Sequence, residues 1–194
     1  MKRVILLFVV LISSIGLLTA SSEKNNDAII TFSLDANGNY TGFSNLSNNY
    51  TVEDAEKDGY FVKQDLEVIA NNEVWDNFVE TARLGMNTGI RMVSFYTEDT
   101  NSPYFSDIFF NNGFYYLFDS SSDSQPKQPF LYLLALEGRF GGPLVDCEVA
   151  ILTNDNALTF DVVMKSMYSS SMDYIKSVSP YKLINFLRKP LIKQ

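Results

Sequence analysis

The chain has 194 residues, of which 46% are apolar and 20% charged, a balance typical of one globular domain rather than of a disordered chain. It contains no histidine and a single cysteine. These counts exclude histidine-dependent catalysis, imidazole metal sites, thiolate zinc cages and internal disulfides, and no cofactor is predicted. The net charge of −8 argues against nucleic acid as a partner.

The first 22 residues follow the order of a secretory signal peptide. Met1-Lys2-Arg3 is basic, Val4 to Leu18 carries no charge, and small polar residues continue to Ser22. We therefore predict a signal peptide over residues 1–22, cleavage after Ser22, and a secreted protein with no stable membrane insertion. The alternative is an uncleaved signal anchor that tethers the protein to the membrane, although a span needs roughly 20 apolar residues.

The N-terminal half predicts short elements. Ala28 to Leu34 and Tyr40 to Phe43 are β-rich runs separated by Asn37-Gly38, which is typical of a hairpin. Thr51 is predicted to cap a short helix with Asp54 as its capping-box partner.

A strand over residues 60–70 and the clearest helix of the chain come next. The helix is predicted to begin at Asn71 or Asn72 and to end before Gly85. Its apolar residues recur at i, i+3, i+4 and i+7, which predicts one buried face: Trp75, Phe78, Val79 and Ala82.

Consecutive strands are predicted in the second half, over residues 89–97, 104–110, 114–119, 130–137 and 145–153. Apolar residues on both faces of the 114–119 strand predict a central position in a covered sheet. Gly138 is interpreted as the end of its strand, and alternation in the last strand directs Cys147 inward. A helix over 159–175 and a basic-apolar tail over 179–194 follow, and residues 174–194 hold five basic and no acidic residues.

This order predicts an α+β fold, a mainly antiparallel sheet with about three helices packed on it. We predict a single domain over residues 23–178, between the signal peptide and the tail. About 170 residues can bury a sufficient core. We therefore expect a monomer that folds without metal or disulfide.

Two acidic motifs are candidates for chemistry. The segment from Asp35 to Asn39 resembles part of a calcium loop, but its glycine is misplaced and the distal glutamate is missing, so a hairpin turn is favoured. Asp119 and Asp123 flank three serines after a strand. Two carboxylates at such a place serve acid–base chemistry, a hard cation or the solvation of a loop, and the loop interpretation is favoured because nothing else in the sequence fixes their geometry.

Six short segments between Thr51 and about Ser171 carry a resemblance to a known family. They are Ala55…Asp58-Gly59-Tyr60, Asn71 before Trp75 and Phe78, Ile90-Arg91 with Tyr96-Thr97-Glu98, Pro103…Asp107, Asp119 to Asp123, and Leu152 to Asp155 with Leu158-Thr159. On these segments the chain resembles an uncharacterised domain family of secreted proteins and lipoproteins of Gram-positive bacteria.

The resemblance implies a cell-envelope setting and one α+β domain. Family members usually carry a lipobox cysteine where this chain has Ser21, and serine cannot form the thioether, so release rather than anchoring is implied. Without roles, the resemblance also singles out four polar positions: Arg91, Glu98, Asp119 and Asp123.

Two classes of function remain open. The first is a non-catalytic extracytoplasmic module that binds an envelope component or another protein, which the lack of a catalytic constellation favours. The second is a carboxylate-based hydrolase of envelope sugar or phosphate polymers that uses Asp119 and Asp123. Carboxylates about 5–10 Å apart across a concave pocket would favour the hydrolase.

Overall fold

A computed structural model describes residues 30–47 and 49–188. The predicted signal peptide and its cleavage site lie outside these residues. In chain order the elements are α1 Val52–Lys57, β1 Phe61–Gln64, β2 Glu67–Ala70, α2 Asn72–Arg83, β3 Thr88–Tyr96, β4 Asp99–Asn111, β5 Phe114–Asp119, β6 Tyr132–Phe140, β7 Val145–Thr153, α3 Phe160–Tyr168, α4 Met172–Ser177 and β8 Tyr181–Arg188.

The strands form two sheets. Five strands lie in the order β2-β1-β3-β4-β5 and three in the order β6-β7-β8. Neighbouring strands are antiparallel except β1 and β3, which are parallel. The α+β class and the mainly antiparallel pairing are confirmed, although the described residues form two sheets and four helices. Within this part of the chain no helix is long and apolar enough to cross a bilayer.

One face of the five-stranded sheet is covered by both α2 and the second sheet. Trp75, Phe78 and Ala82 of α2 are buried in one cluster with Phe61 of β1 and Ala150 of β7. The predicted helical stripe is therefore confirmed, because residues three and four apart share a helix face. This shared cluster joins the two sheets.

The opposite face carries aromatic residues beneath the N-terminal segment 30–47. Tyr40 stacks on Phe118 of β5 with ring centroids 4.2 Å apart, and Phe32 meets Phe109 of β4 edge-on at 5.1 Å. Both faces of β5 are therefore covered, as its apolar pattern predicts. The strand is nevertheless at the edge of its sheet and not at the centre.

Local hydrogen bonds form as predicted at two turns. The Thr51 hydroxyl accepts from the backbone N–H of Asp54, whose carboxylate accepts from the N–H of Thr51, so α1 begins with the predicted capping box. The Asp35 carboxylate accepts from the N–H groups of Asn37 and Asn39. Its oxygens therefore serve the turn that the hairpin interpretation predicts.

In the second sheet β7 lies between β6 and β8, and α3 covers one face. Cys147 and Val149 of β7 pack in a cluster with Val163 of α3, and the inward direction predicted for Cys147 is confirmed by its 1% exposure. Gly138 does not end its strand. A Cβ built on it would lie 2.1 Å from Cδ1 of Phe160, so the close approach of that ring requires glycine.

Four further features differ from the sequence prediction. The described residues of the predicted runs Ala28 to Leu34 and Tyr40 to Phe43 form no strand, and Leu34 and Tyr40 pair only in an isolated bridge. The 60–70 strand is a hairpin, β1 and β2, turned at Asp65 with a φ of 54°. The 159–175 helix is two helices, because Ser169 is extended and Ser171 caps α4 with its hydroxyl. Part of the predicted C-terminal tail is β8, which pairs antiparallel with β7.

Candidate functional site

Arg91, which the resemblance singles out, lies in the interior beneath the N-terminal segment. Its Nε and Nη2 donate to Oδ1 and Oδ2 of Asp107 at 2.7 and 2.6 Å, and Nη2 also donates to the carbonyl of Gly42. The side chains of Arg91 and Asp107 are only 7% and 0% exposed. The Arg91 guanidinium therefore joins β3 to β4 and to the N-terminal segment.

Aromatic groups complete the surroundings of this ion pair. The Tyr40 hydroxyl donates to Oδ2 of Asp107 at 2.6 Å, and both burial and the Asp107 charge raise the pKa of Tyr40. Burial by itself lowers the pKa of Arg91, but the hydrogen bonds and charge of Asp107 raise it above its ordinary value. Arg91 therefore stays protonated, and three rings lie within 5.8 Å of its Cζ: Phe43, Tyr60 and Phe105.

The three predicted acidic residues are exposed, and Asp119 is the last residue of β5, at the start of the loop that follows it. The Asp119 carboxylate accepts from the N–H and the hydroxyl of Ser121, at 2.9 and 2.8 Å, and its backbone N–H donates to Gln125. Asp123 lies in the same loop, and Glu98 lies in the turn between β3 and β4. Among the described contacts, no hydrogen bond joins any two of Arg91, Glu98, Asp119 and Asp123.

A cleft of about 500 Å³ lies between α2, the N-terminal segment and the end of the five-stranded sheet. Its apolar residues include Phe78 of α2 together with Phe109 and Phe110 of β4. Its polar residues are all neutral amides and hydroxyls, which both donate and accept hydrogen bonds: Thr31, Asn77, Thr81, Asn87, Thr88 and Asn111. No described lining residue is ionisable.

The polar lining comes from four places in the chain: the N-terminal segment, α2, the start of β3 and the end of β4. Asn77 and Thr81 are four residues apart and therefore project from the same side of α2, next to its buried stripe. Asn87 precedes β3, where its side-chain oxygen accepts from the N–H of Asn112 at 2.9 Å. That bond leaves the amide nitrogen of Asn87 as a donor.

Sequence reasoning missed this cleft. Its residues are neutral and come from segments that only the fold brings together. The one local signal is the Asn77–Thr81 pair beside the apolar stripe of a predicted helix, and such a pair is equally typical of a solvated helix surface.

A second cavity of about 520 Å³ lies at the β1–β2 turn. It is formed by Gln64 to Glu67, Ile69 and Thr97. The Asp65 carboxylate there accepts from both the N–H and the hydroxyl of Thr97, which lowers the pKa of Asp65. Across the described residues no group of three or more acidic or cysteine side chains could hold a metal ion.

One buried polar contact links the two sheets. The Lys63 ammonium of β1 donates to Oδ1 of Asn185 in β8 at 2.8 Å, and Asn185 is 3% exposed. The Nδ2 of Asn185 is buried without a hydrogen-bond partner among the described residues. Burial lowers the pKa of Lys63 from its ordinary 10.5 to about 8.

This lysine predicts a specific pH dependence of stability. Between pH 8 and 10.5 the unfolded chain binds more protons at Lys63 than the native protein does. The contribution of Lys63 to the free energy of unfolding therefore rises with pH. We expect a total rise of about 3 kcal/mol, at 1.36 kcal/mol for each unit of pKa shift. Urea unfolding across this window should show that the free energy of unfolding of wild type rises with pH relative to that of Lys63→Met.

Lys57→Met is the matched control, because Lys57 is exposed at the end of α1. The difference in free energy of unfolding between this variant and wild type should stay the same across the pH 8–10.5 window. A constant offset for Lys63→Met as well would show that Lys63 is solvated in the native state.

Comparison with known proteins finds no matching family model, no matching curated protein and no matching solved structure. We therefore infer function from the residues and geometry of this chain.

Proposed function

We propose that this protein is a secreted, single-domain component of a bacterial cell envelope that binds an envelope component or another protein without catalysis. The first 22 residues run from basic to apolar to small, and this order supports export. The resemblance to Gram-positive secreted proteins and lipoproteins supports the envelope setting, and Ser21 in place of the lipobox cysteine supports release.

The observation that carries the binding role is the neutral lining of the cleft. General acid–base catalysis requires a titratable group within hydrogen-bond reach of the substrate, and the described lining offers amides, hydroxyls and apolar surface instead. Such a lining fits recognition by hydrogen bonds and apolar contact. Asp119, the carboxylate that a hydrolase would use, is hydrogen-bonded within its own loop.

The binding role is tested by putting a charge into the cleft. Asn77→Asp keeps the side-chain shape but adds a carboxylate to a neutral lining, where an unpaired charge that loses water on binding is costly. We expect binding of the purified protein to isolated cell envelopes to fall at least about tenfold, which corresponds to 1.4 kcal/mol. Asn156→Asp, in an exposed turn after β7, is the matched control and should bind like wild type.

Equal binding by wild type and Asn77→Asp would exclude the cleft as the binding site.

Export is tested separately, by N-terminal sequencing of secreted protein, which should begin close to Glu23. Recovery of an intact Met1 in the membrane fraction would instead support the signal anchor.

A further inference from the structure

The backbone of β3 is paired along its whole length on one side only. β4 pairs with it from Thr88 to Tyr96, whereas β1 pairs only with Met92 to Phe95. In the described part of the chain no strand continues β1 alongside Thr88 to Ile90. Unpaired strand edges present a row of backbone donors and acceptors that another chain can pair with.

The cleft adjoins this half-paired part of β3. Thr88 and Gly89 belong to its lining, with α2 on one side and Ile30 to Phe32 on the other. The Phe109 ring lies over Gly89, because a Cβ built there would be 2.5 Å from Cδ1 of that ring. The edge of β3 therefore borders a space with an aromatic floor and neutral polar walls.

We propose that the cleft binds an extended, uncharged segment of a partner polypeptide, which adds a strand to β3 beside Thr88 to Ile90. This inference rests on the proposed binding function and names the partner of the same site. Three strand residues span about 10 Å at 3.3 Å each. Backbone pairing supplies affinity in this mode of recognition, and the side chains around the edge supply specificity.

The chemistry of the lining selects this partner. Asn77 and Thr81 can donate to and accept from peptide groups of the incoming segment that face away from β3. A charged side chain would lose its hydration in the cleft without finding an opposite charge in the described lining. A peptide backbone also repeats its donors and acceptors at the spacing of a strand edge.

The probes are end-blocked, fluorescently labelled heptapeptides from an uncharged library in which threonine and valine alternate with other β-branched or aromatic residues. We expect members that bind the purified protein, compete with its binding to envelopes and slow hydrogen exchange at those amides of Thr88 to Ile90 that face away from β4. N-methylation at alternate residues removes backbone donors but keeps the side chains, and we expect it to weaken binding at least about tenfold. A library peptide with aspartate at its central position should also bind at least about tenfold more weakly.

Three outcomes separate this inference from the function on which it rests. If Asn77→Asp weakens envelope binding but no library peptide binds, the peptide inference is wrong and the binding function stands. Equal binding of N-methylated and unmodified peptides, or displacement of envelopes by a neutral N-acetylglucosamine oligosaccharide alone, also overturns strand addition. If Asn77→Asp leaves envelope binding unchanged, the cleft is not the binding site and the peptide inference fails, whereas the proposed function itself fails if wild type does not bind envelopes.

Discussion

Replacement of Asp107 by alanine is expected to lower the free energy of unfolding by about 3–5 kcal/mol. The substitution leaves the Arg91 guanidinium in the interior, 7% exposed and without its counter-charge. It also removes the acceptor of the Tyr40 hydroxyl, 2.6 Å away in the wild type. The loss should appear as a lower urea midpoint with a nearly unchanged slope, because a stability change alone does not alter the surface exposed on unfolding.

The exposed pair of Arg83 and Glu80 on α2 provides the matched control. Its nearest nitrogen and oxygen atoms are 2.8 Å apart, against 2.6 Å for Arg91 and Asp107, but the two side chains are 69% and 57% exposed. Glu80→Ala should therefore lower the urea midpoint far less than Asp107→Ala, because solvent screens an exposed pair. A double variant, Arg91→Met with Asp107→Leu, should recover part of the stability that Asp107→Ala loses, since an apolar pair leaves no buried charge. Equal losses for Asp107→Ala and Glu80→Ala would show that water reaches Arg91.

The sequence alone predicts the features that depend on neighbouring residues. The α1 capping box needs only Thr51 and Asp54, three residues apart, and the buried stripe of α2 needs only helical periodicity. The inward direction of Cys147 follows from alternation within a single strand. In each case the information lies within a few residues of the chain.

Features that depend on distant pairing are not predictable in this way. β8 forms because β7 offers it a partner, and its own sequence, rich in basic residues, is equally typical of a tail. Arg91 and Asp107 face each other because β3 and β4 bring them into register, and the sequence shows them only as two polar residues among apolar neighbours. Only the register of the antiparallel pair β3 and β4, which a turn joins, would have shown that Arg91 and Asp107 lie opposite each other.

The cleft is less predictable from the sequence than the capping box, the α2 stripe or the direction of Cys147, because only the folded chain brings its residues together. Asn77 comes from a helix, Asn111 from the end of β4 and Thr31 from the N-terminal segment. None of these residue types is rare or chemically distinctive in its local sequence. The open edge of β3 is visible only once β1 is known to pair with half of that strand. Candidate sites chosen from charged residues therefore missed a site whose lining is neutral.

Trp75→Ala is expected to lower the free energy of unfolding by about 3–5 kcal/mol, the usual cost of emptying a large buried aromatic site. Trp75 is 7% exposed, and its ring centroid lies 6.2 Å from that of Phe61 and 6.0 Å from that of Phe78. The cavity would open in the cluster that α2, β1 and β7 share, so both sheets lose packing contacts. Urea unfolding followed by circular dichroism measures the loss.

Leu84→Ala provides the control for this substitution, because Leu84 lies just beyond the end of α2 and is 58% exposed. Its cost should stay within about 0.5 kcal/mol, as for most surface substitutions. Since Trp75 is the only tryptophan, wild-type fluorescence offers an independent check. The emission should be blue-shifted in the native protein and move to the red in denaturant. A native emission already at the position of solvated tryptophan would contradict burial of the α2 face, and with it the cluster that joins the two sheets.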